Sequence, residues 1–158
     1  WLTEYGYQTN PPDRFLGVSP ALQARYLAEA ALRAYLAPRV DMLINFLVRD
    51  EPNVGRWQSG LLNIGGVAKP SYYAFSLPLA QVSRRGSTTV LWGQVRPGTG
   101  RRTYELQQLV FGRWKIVGSL GRTDSRGFLR RTVHAAVGAR FRLVSPSLDL
   151  TSPASVVT

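Results

Sequence analysis

The sequence predicts a mixed fold: an α/β first half over residues 1–80, a linker at 81–87 and an all-β antiparallel sandwich over 88–158. Three observations carry this expectation. The 158-residue chain has a formal net charge of +11, yet residues 1–80 hold seven basic and six acidic side chains while residues 81–158 hold thirteen and three, so the parts carry +1 and +10. Apolar residues recur at helical spacing only in the first part. Short alternating runs between turn residues fill the second. The pattern and the charge change together around Val82 to Thr88, and Ser83-Arg84-Arg85-Gly86-Ser87 reads as the linker.

Trp1 to Tyr7 is aromatic and extended in character, and Thr9-Asn10-Pro11-Pro12-Asp13 breaks it as a loop. Ser19 suits a helix N-cap and Pro20 the first helical position. From there Leu22, Tyr26, Ala30 and Ala34 recur with Leu27, Ala31 and Tyr35 beside them, until Pro38 stops the helix. Met42 to Val48 is a short, nearly continuous apolar run, as expected of a strand buried on both faces of a parallel sheet. Strand, helix and strand make one βαβ unit. Arg49 to Gly66 reads as a long polar loop containing Trp57, and Lys69 to Phe75 opens a last short helix before Pro78.

The second half has no helical period. Thr88 to Val95 precedes the turn Pro97-Gly98-Thr99-Gly100; Tyr104, Leu106, Gln108 and Val110 then alternate with Glu105, Gln107 and Leu109. Gly112 breaks the chain before Trp114, Ile116 and Val117, and Asp124-Ser125-Arg126-Gly127 turns it again before Phe128 to Val133. Phe141 and Leu143 alternate with Arg140 and Arg142, and Ala154 to Thr158 makes a final edge strand. Six or seven such strands predict a β-sandwich.

Composition removes whole classes of chemistry. With no Cys and one His, no disulfide framework, cysteine zinc site, thiol nucleophile or multi-histidine metal centre is possible. No metal or cofactor is expected. A hydrophobic content of 44% speaks against disorder, and no apolar run approaches the roughly 18 residues of a membrane-spanning helix. The N-terminus, Trp1-Leu2-Thr3-Glu4, has neither an initiating Met nor the pattern of a signal peptide.

Trp1-Leu2-Thr3-Glu4-Tyr5-Gly6 resembles the seventh-strand motif of clan A glycoside hydrolases, retaining (β/α)8-barrel enzymes of cellulase-like and xylosidase-like type. Gly60-Leu61-Leu62-Asn63 through Gly66, Lys69-Pro70 and Tyr73-Ala74-Phe75 resemble the stretch after the eighth strand. The resemblance implies that residues 1–80 are the last two β/α units of such a barrel. It implies Glu4 as the catalytic nucleophile, and a longer secreted hydrolase acting on O-glycosidic bonds of which this chain is an inactive C-terminal portion. A retaining mechanism needs a second carboxyl group about 5 Å away; the family takes it from an Asn-Glu pair that this chain lacks. Asp50 and Glu51, following the second strand, would reach the same rim and bind substrate, and Trp57 would stack on a sugar ring. Gly93 to Gly98, Leu106-Gln107, Gly112-Arg113-Trp114, Thr123-Asp124, Gly127-Phe128 and Phe141-Arg142 resemble bacterial Ig-like or fibronectin-like accessory domains.

A different class of function also fits: a non-catalytic carbohydrate- or cell-surface-binding β-sandwich. The arginines at 101, 102, 113, 122, 126, 130, 131, 140 and 142 read either as the solvated faces of strands or as a patch for an acidic glycan or cell-surface polymer. No nucleic-acid-binding motif is visible, so no nucleic-acid partner is expected. The resemblance to secreted hydrolases implies an extracellular or cell-surface location. His134, at a strand end with no Ser/Asp arrangement beside it, reads as structural, and Asp124 as a turn residue bonding its own backbone.

Overall fold

A computed structural model describes residues 1–158. The longest helix, α1 (Pro20–Leu36), begins as its sequence predicts: the Ser19 hydroxyl accepts a hydrogen bond from the Leu22 amide at 3.2 Å, with Pro20 in the first turn. Its buried residues, Gln23, Ala24, Leu27, Ala28, Ala31 and Leu32, fall on one face at spacings of three and four. Ala37, extended, ends it before Pro38. The helix connects β1 (Leu2–Tyr5) to β2 (Leu43–Asn45), and these two strands pair in parallel, with Leu2 opposite Leu43 and Tyr5 opposite Asn45.

That parallel pair is the whole of its sheet. The expected part of a (β/α)8 barrel is therefore overturned: no barrel is present, and the chain is mostly β, distributed over several sheets, with only two α-helices. The apolar run Met42 to Val48 yields a strand of only three residues, and it is not buried on both faces. Met42 and Ile44 are each 41% exposed, and Leu47 takes a left-handed φ of 78°, which ends the extended path. From Phe46 to Lys69 the chain is irregular, tied by isolated bridges between Arg49 and Leu62 and between Leu62 and Ala68. The second helix, α2 (Pro70–Ser76), follows.

The chain forms two compact units, Trp1–Phe75 and Ser76–Thr158. The expected linker lies inside the second: Gln81 to Arg85 belong to β3 (Leu79–Arg85), and Gly86, at φ 59°, turns the chain into β4 (Thr88–Gln94). The basic run that resembled a connector is a hairpin.

The second unit is β-rich and built from two antiparallel sheets around one core. One sheet has the order β3, β4, β8 (Phe128–His134). The other runs from β10 (Leu150–Thr151) through β9 (Arg140–Ser145) and β5 (Thr103–Val110) to β6 (Arg113–Ile116). Two short strands join it, β7 (Gly121–Arg122) on β5 and β11 (Ser155–Val156) on β9. Leu77, Leu91, Leu106, Phe141 and Leu143, none more than 1% exposed, meet between the sheets. Each contributes roughly 1.5–3 kcal/mol relative to an exposed side chain.

Candidate functional site

The four residues singled out in the first half stand in different surroundings. Glu4 lies near the end of β1, exposed, with no hydrogen bond or ion pair. Asp50 is buried. Its Oδ1 accepts from the Lys69 ammonium at 2.7 Å and from the Gly60 amide at 2.8 Å. Lys69, only 7% exposed, also donates to Thr9 Oγ1 at 2.8 Å and to the Gln58 carbonyl at 3.1 Å, so each of its three protons has an acceptor. Burial pulls the Lys69 pKa below the ordinary lysine value, and the hydrogen bond and charge of Asp50 oppose that shift. Asp50 fastens the irregular segment, its carboxylate engaged by Lys69 and the Gly60 amide. Glu51, beside it in sequence, is half-buried with Oε2 3.8 Å from Arg56 Nε. Trp57 is 52% exposed and meets Phe46 nearly at right angles, ring centres 5.8 Å apart.

Elsewhere His134 is exposed at the end of β8, opposite Thr88. Asp124 Oδ1 accepts from the amides of Arg126 and Phe128, both at 2.8 Å, so the carboxylate closes its own turn. No group of three or more His, Asp or Glu side chains comes together in a way that would hold a metal.

The arrangement with chemical capability is on the second unit, on the outer face of the β9–β5–β6 sheet. Antiparallel pairing sets Gln107 opposite both Arg142 and Ile116, and Leu109 opposite Trp114, so these side chains emerge from the same face. The Arg142 guanidinium lies over the Trp114 ring, 4.3 Å from its centre. Its Nε donates to Gln107 Oε1 at 2.9 Å, and Gln107 Nε2 donates to Glu105 Oε2 at 2.7 Å. Partial burial lowers the Arg142 pKa from the ordinary arginine value and the charge of Glu105 works against that. A guanidinium remains a cation at neutral pH. Its two terminal nitrogens have no acceptor within the protein. The result is a half-buried cation with its plane set by a tryptophan and a glutamine and with no acceptor in the protein on its terminal donors.

Arg142 belongs to the basic set noted in the sequence, and Trp114 to the strand expected after Gly112, for which the sequence gives no buried face. Arg113-Trp114-Lys115-Ile116 alternates, and β6 is an edge strand: Arg113 and Lys115 reach water past the sheet rim, and Trp114 lies on the outer face. The cue available in the sequence was the four-residue length of an aromatic strand with a cation on each side of its tryptophan.

No family model matches the chain, and no curated protein matches it. Together with the absence of a barrel, this overturns the resemblance to clan A glycoside hydrolases, and the Ig-like or fibronectin-like assignment of the second unit goes with it. What stands is a β-rich unit with a sandwich architecture. Without the resemblance, nothing in the structure singles out Glu4 as a nucleophile.

Proposed function

We propose that this protein is a non-catalytic binding module whose second unit holds an acidic polysaccharide of a cell surface or its surroundings. The observation that carries the reading is Arg142, clamped between Trp114 and Gln107 with its terminal donors open. A forked donor held in one plane fits the two oxygens of a uronate carboxylate or a sulfate, and ordering it beforehand removes rotamer entropy that binding would otherwise cost. The half-buried tryptophan and the exposed Ile116 offer apolar surface for the C–H groups of the sugar carrying that charge. Around this platform the sequence supplies a net +10 over residues 81–158, which favours polyanions over neutral glycans. On this reading the protein works at or outside a cell surface.

The test separates a site from a diffuse charge. Binding to a soluble polyuronate, measured by calorimetry at moderate salt, is expected to weaken roughly tenfold in Arg142→Gln, the size of one lost charge-assisted hydrogen-bonded contact. Arg101→Gln removes the same charge from an exposed position with no defined partner and is expected to change affinity less than about twofold. Equal losses in the two variants, or equal affinity for a duplex DNA of the same charge density, would defeat the proposal.

A further inference from the structure

One end of the second unit carries a feature that polysaccharide binding does not use. The turn between β5 and β6 consists of Phe111 and Gly112, both with positive φ, 48° and 73°. This is the type I′ hairpin geometry, which Asn-Gly adopts with least strain and which a bulky side chain in the first position disfavours. Phe111 is nonetheless there, 99% exposed, at the outermost point of the hairpin.

Strand register identifies its neighbours. Continuing the pairing of Gln108 with Phe141 brings the end of β5 alongside the turn between β8 and β9, where Val137 is 62% exposed. The pairing of Thr88 with His134, and of Arg85 with Thr88, brings the β3–β4 turn to the same end. Two apolar side chains therefore project from turns whose nearby strand ends supply Arg84, Arg85, Arg113 and Arg140, all exposed and none paired with a carboxylate. The three acidic residues of the unit lie away from this end. Glu105 pairs with Val144, Asp124 follows β7 beside the start of β5, and Asp149 follows the far end of β9.

We infer that this end docks on an anionic lipid bilayer, with Phe111 and Val137 entering the interface and the four arginines engaging lipid phosphates. Exposed apolar turn residues ringed by unpaired arginines match a surface that is apolar beneath and anionic above. Apolar insertion and attraction to anionic headgroups reinforce one another in such an arrangement. The strained phenylalanine is explained by what it inserts into, because no neighbour in the fold requires it.

Co-sedimentation of the full chain with large vesicles tests this. The protein is expected to pellet with vesicles rich in phosphatidylglycerol and to stay in solution with pure phosphatidylcholine. Phe111→Asn suits the turn better, so the variant folds, and it is expected to lower partitioning into the anionic vesicles roughly tenfold, the scale of removing one aromatic side chain from an apolar environment. The double variant Arg113→Gln/Arg140→Gln is expected to lower partitioning and flatten its salt dependence. Equal pelleting of wild type and Phe111→Asn, or equal pelleting with both lipid compositions, overturns the inference. A parallel loss of polyuronate binding in Phe111→Asn does so too, because it would make the tip part of the glycan site.

Discussion

An ammonium shut away from water is stabilising only while its acceptors are in place, and Lys69 shows how closely that balance is drawn. Replacing it with Met leaves the Asp50 carboxylate buried against Gly60 with no counter-charge, and the first unit is expected to lose about 3–5 kcal/mol in urea unfolding. The double variant Lys69→Met/Asp50→Leu removes both charges and is expected to recover a large part of that loss. A double variant no more stable than Lys69→Met would mean that packing, not the unpaired charge, sets the cost. Asp50 and Glu51 are adjacent in sequence and looked equivalent as substrate ligands; which one is buried depends on Lys69, 19 residues further on, and no local pattern carries that information. Tyr5 provides a pH test. Burial, reinforced by the Tyr7 hydroxyl, holds its phenol above the ordinary value of 10.0. Above pH 10 the unfolded chain therefore loses this proton before the folded one does, and stability falls as pH rises. Lys69, with a lowered pKa, acts in the opposite sense in the range below its unfolded value of 10.5. Comparing wild type with Tyr5→Phe cancels the lysine contribution: urea midpoints between pH 9 and 11 are expected to decline less steeply in the variant. Parallel slopes would remove Tyr5 from the account.

Regular elements were legible wherever local chemistry and tertiary environment agreed. The Ser19 cap, the Pro20 start and the apolar face of α1 all follow from spacing alone, and Ser19→Ala is expected to lower stability by about 1 kcal/mol by leaving the Leu22 amide without its partner. The alternation of Tyr104 and Leu106 with Glu105 and Gln107 likewise gives the buried face of β5 correctly. The turn before β8 is equally local. Gly127 has φ 81°, and a Cβ there would come within 2.4 Å of the Val95 carbonyl oxygen. Gly127→Ala is therefore expected to cost about 2 kcal/mol or more in thermal unfolding, against a few tenths for a compatible glycine replacement. Reading failed where an element's surroundings decide its character. Met42 to Val48 has the composition of a strand buried on both faces, but its sheet has only two members, so three residues pair and two of the apolar side chains face water. In β6 the sequence does not say which face is buried, because a strand at a sheet rim can turn its cations outward from either face.

At the scale of the molecule, charge and core are divided in the same way. The second unit, Ser76–Thr158, includes every basic residue of the sequence from Arg84 onward and the complete buried cluster around Leu106, Phe141 and Leu143. The charge asymmetry was visible from the first count. The boundary was misjudged because Ser83-Arg84-Arg85-Gly86-Ser87 has the composition of a connector, and a hairpin turn uses the same residues for a different reason: the glycine supplies a positive φ and the arginines occupy exposed strand positions. The barrel expectation failed for a related reason, since one strand, helix and strand with parallel pairing is common to many architectures, and the number of strands that close around it is not written in the segment itself. Since the second unit holds a buried core of its own and nearly all the net charge, residues 76–158 alone are expected to unfold cooperatively and to bind polyuronate with the affinity and salt dependence of the full chain. The measurement is a salt titration of binding for the fragment and the full chain side by side. A fragment that is folded but binds more weakly, with a shallower salt dependence, would show that the near-neutral first unit contributes cations to the site, and Arg142 would lose its place at the centre of it.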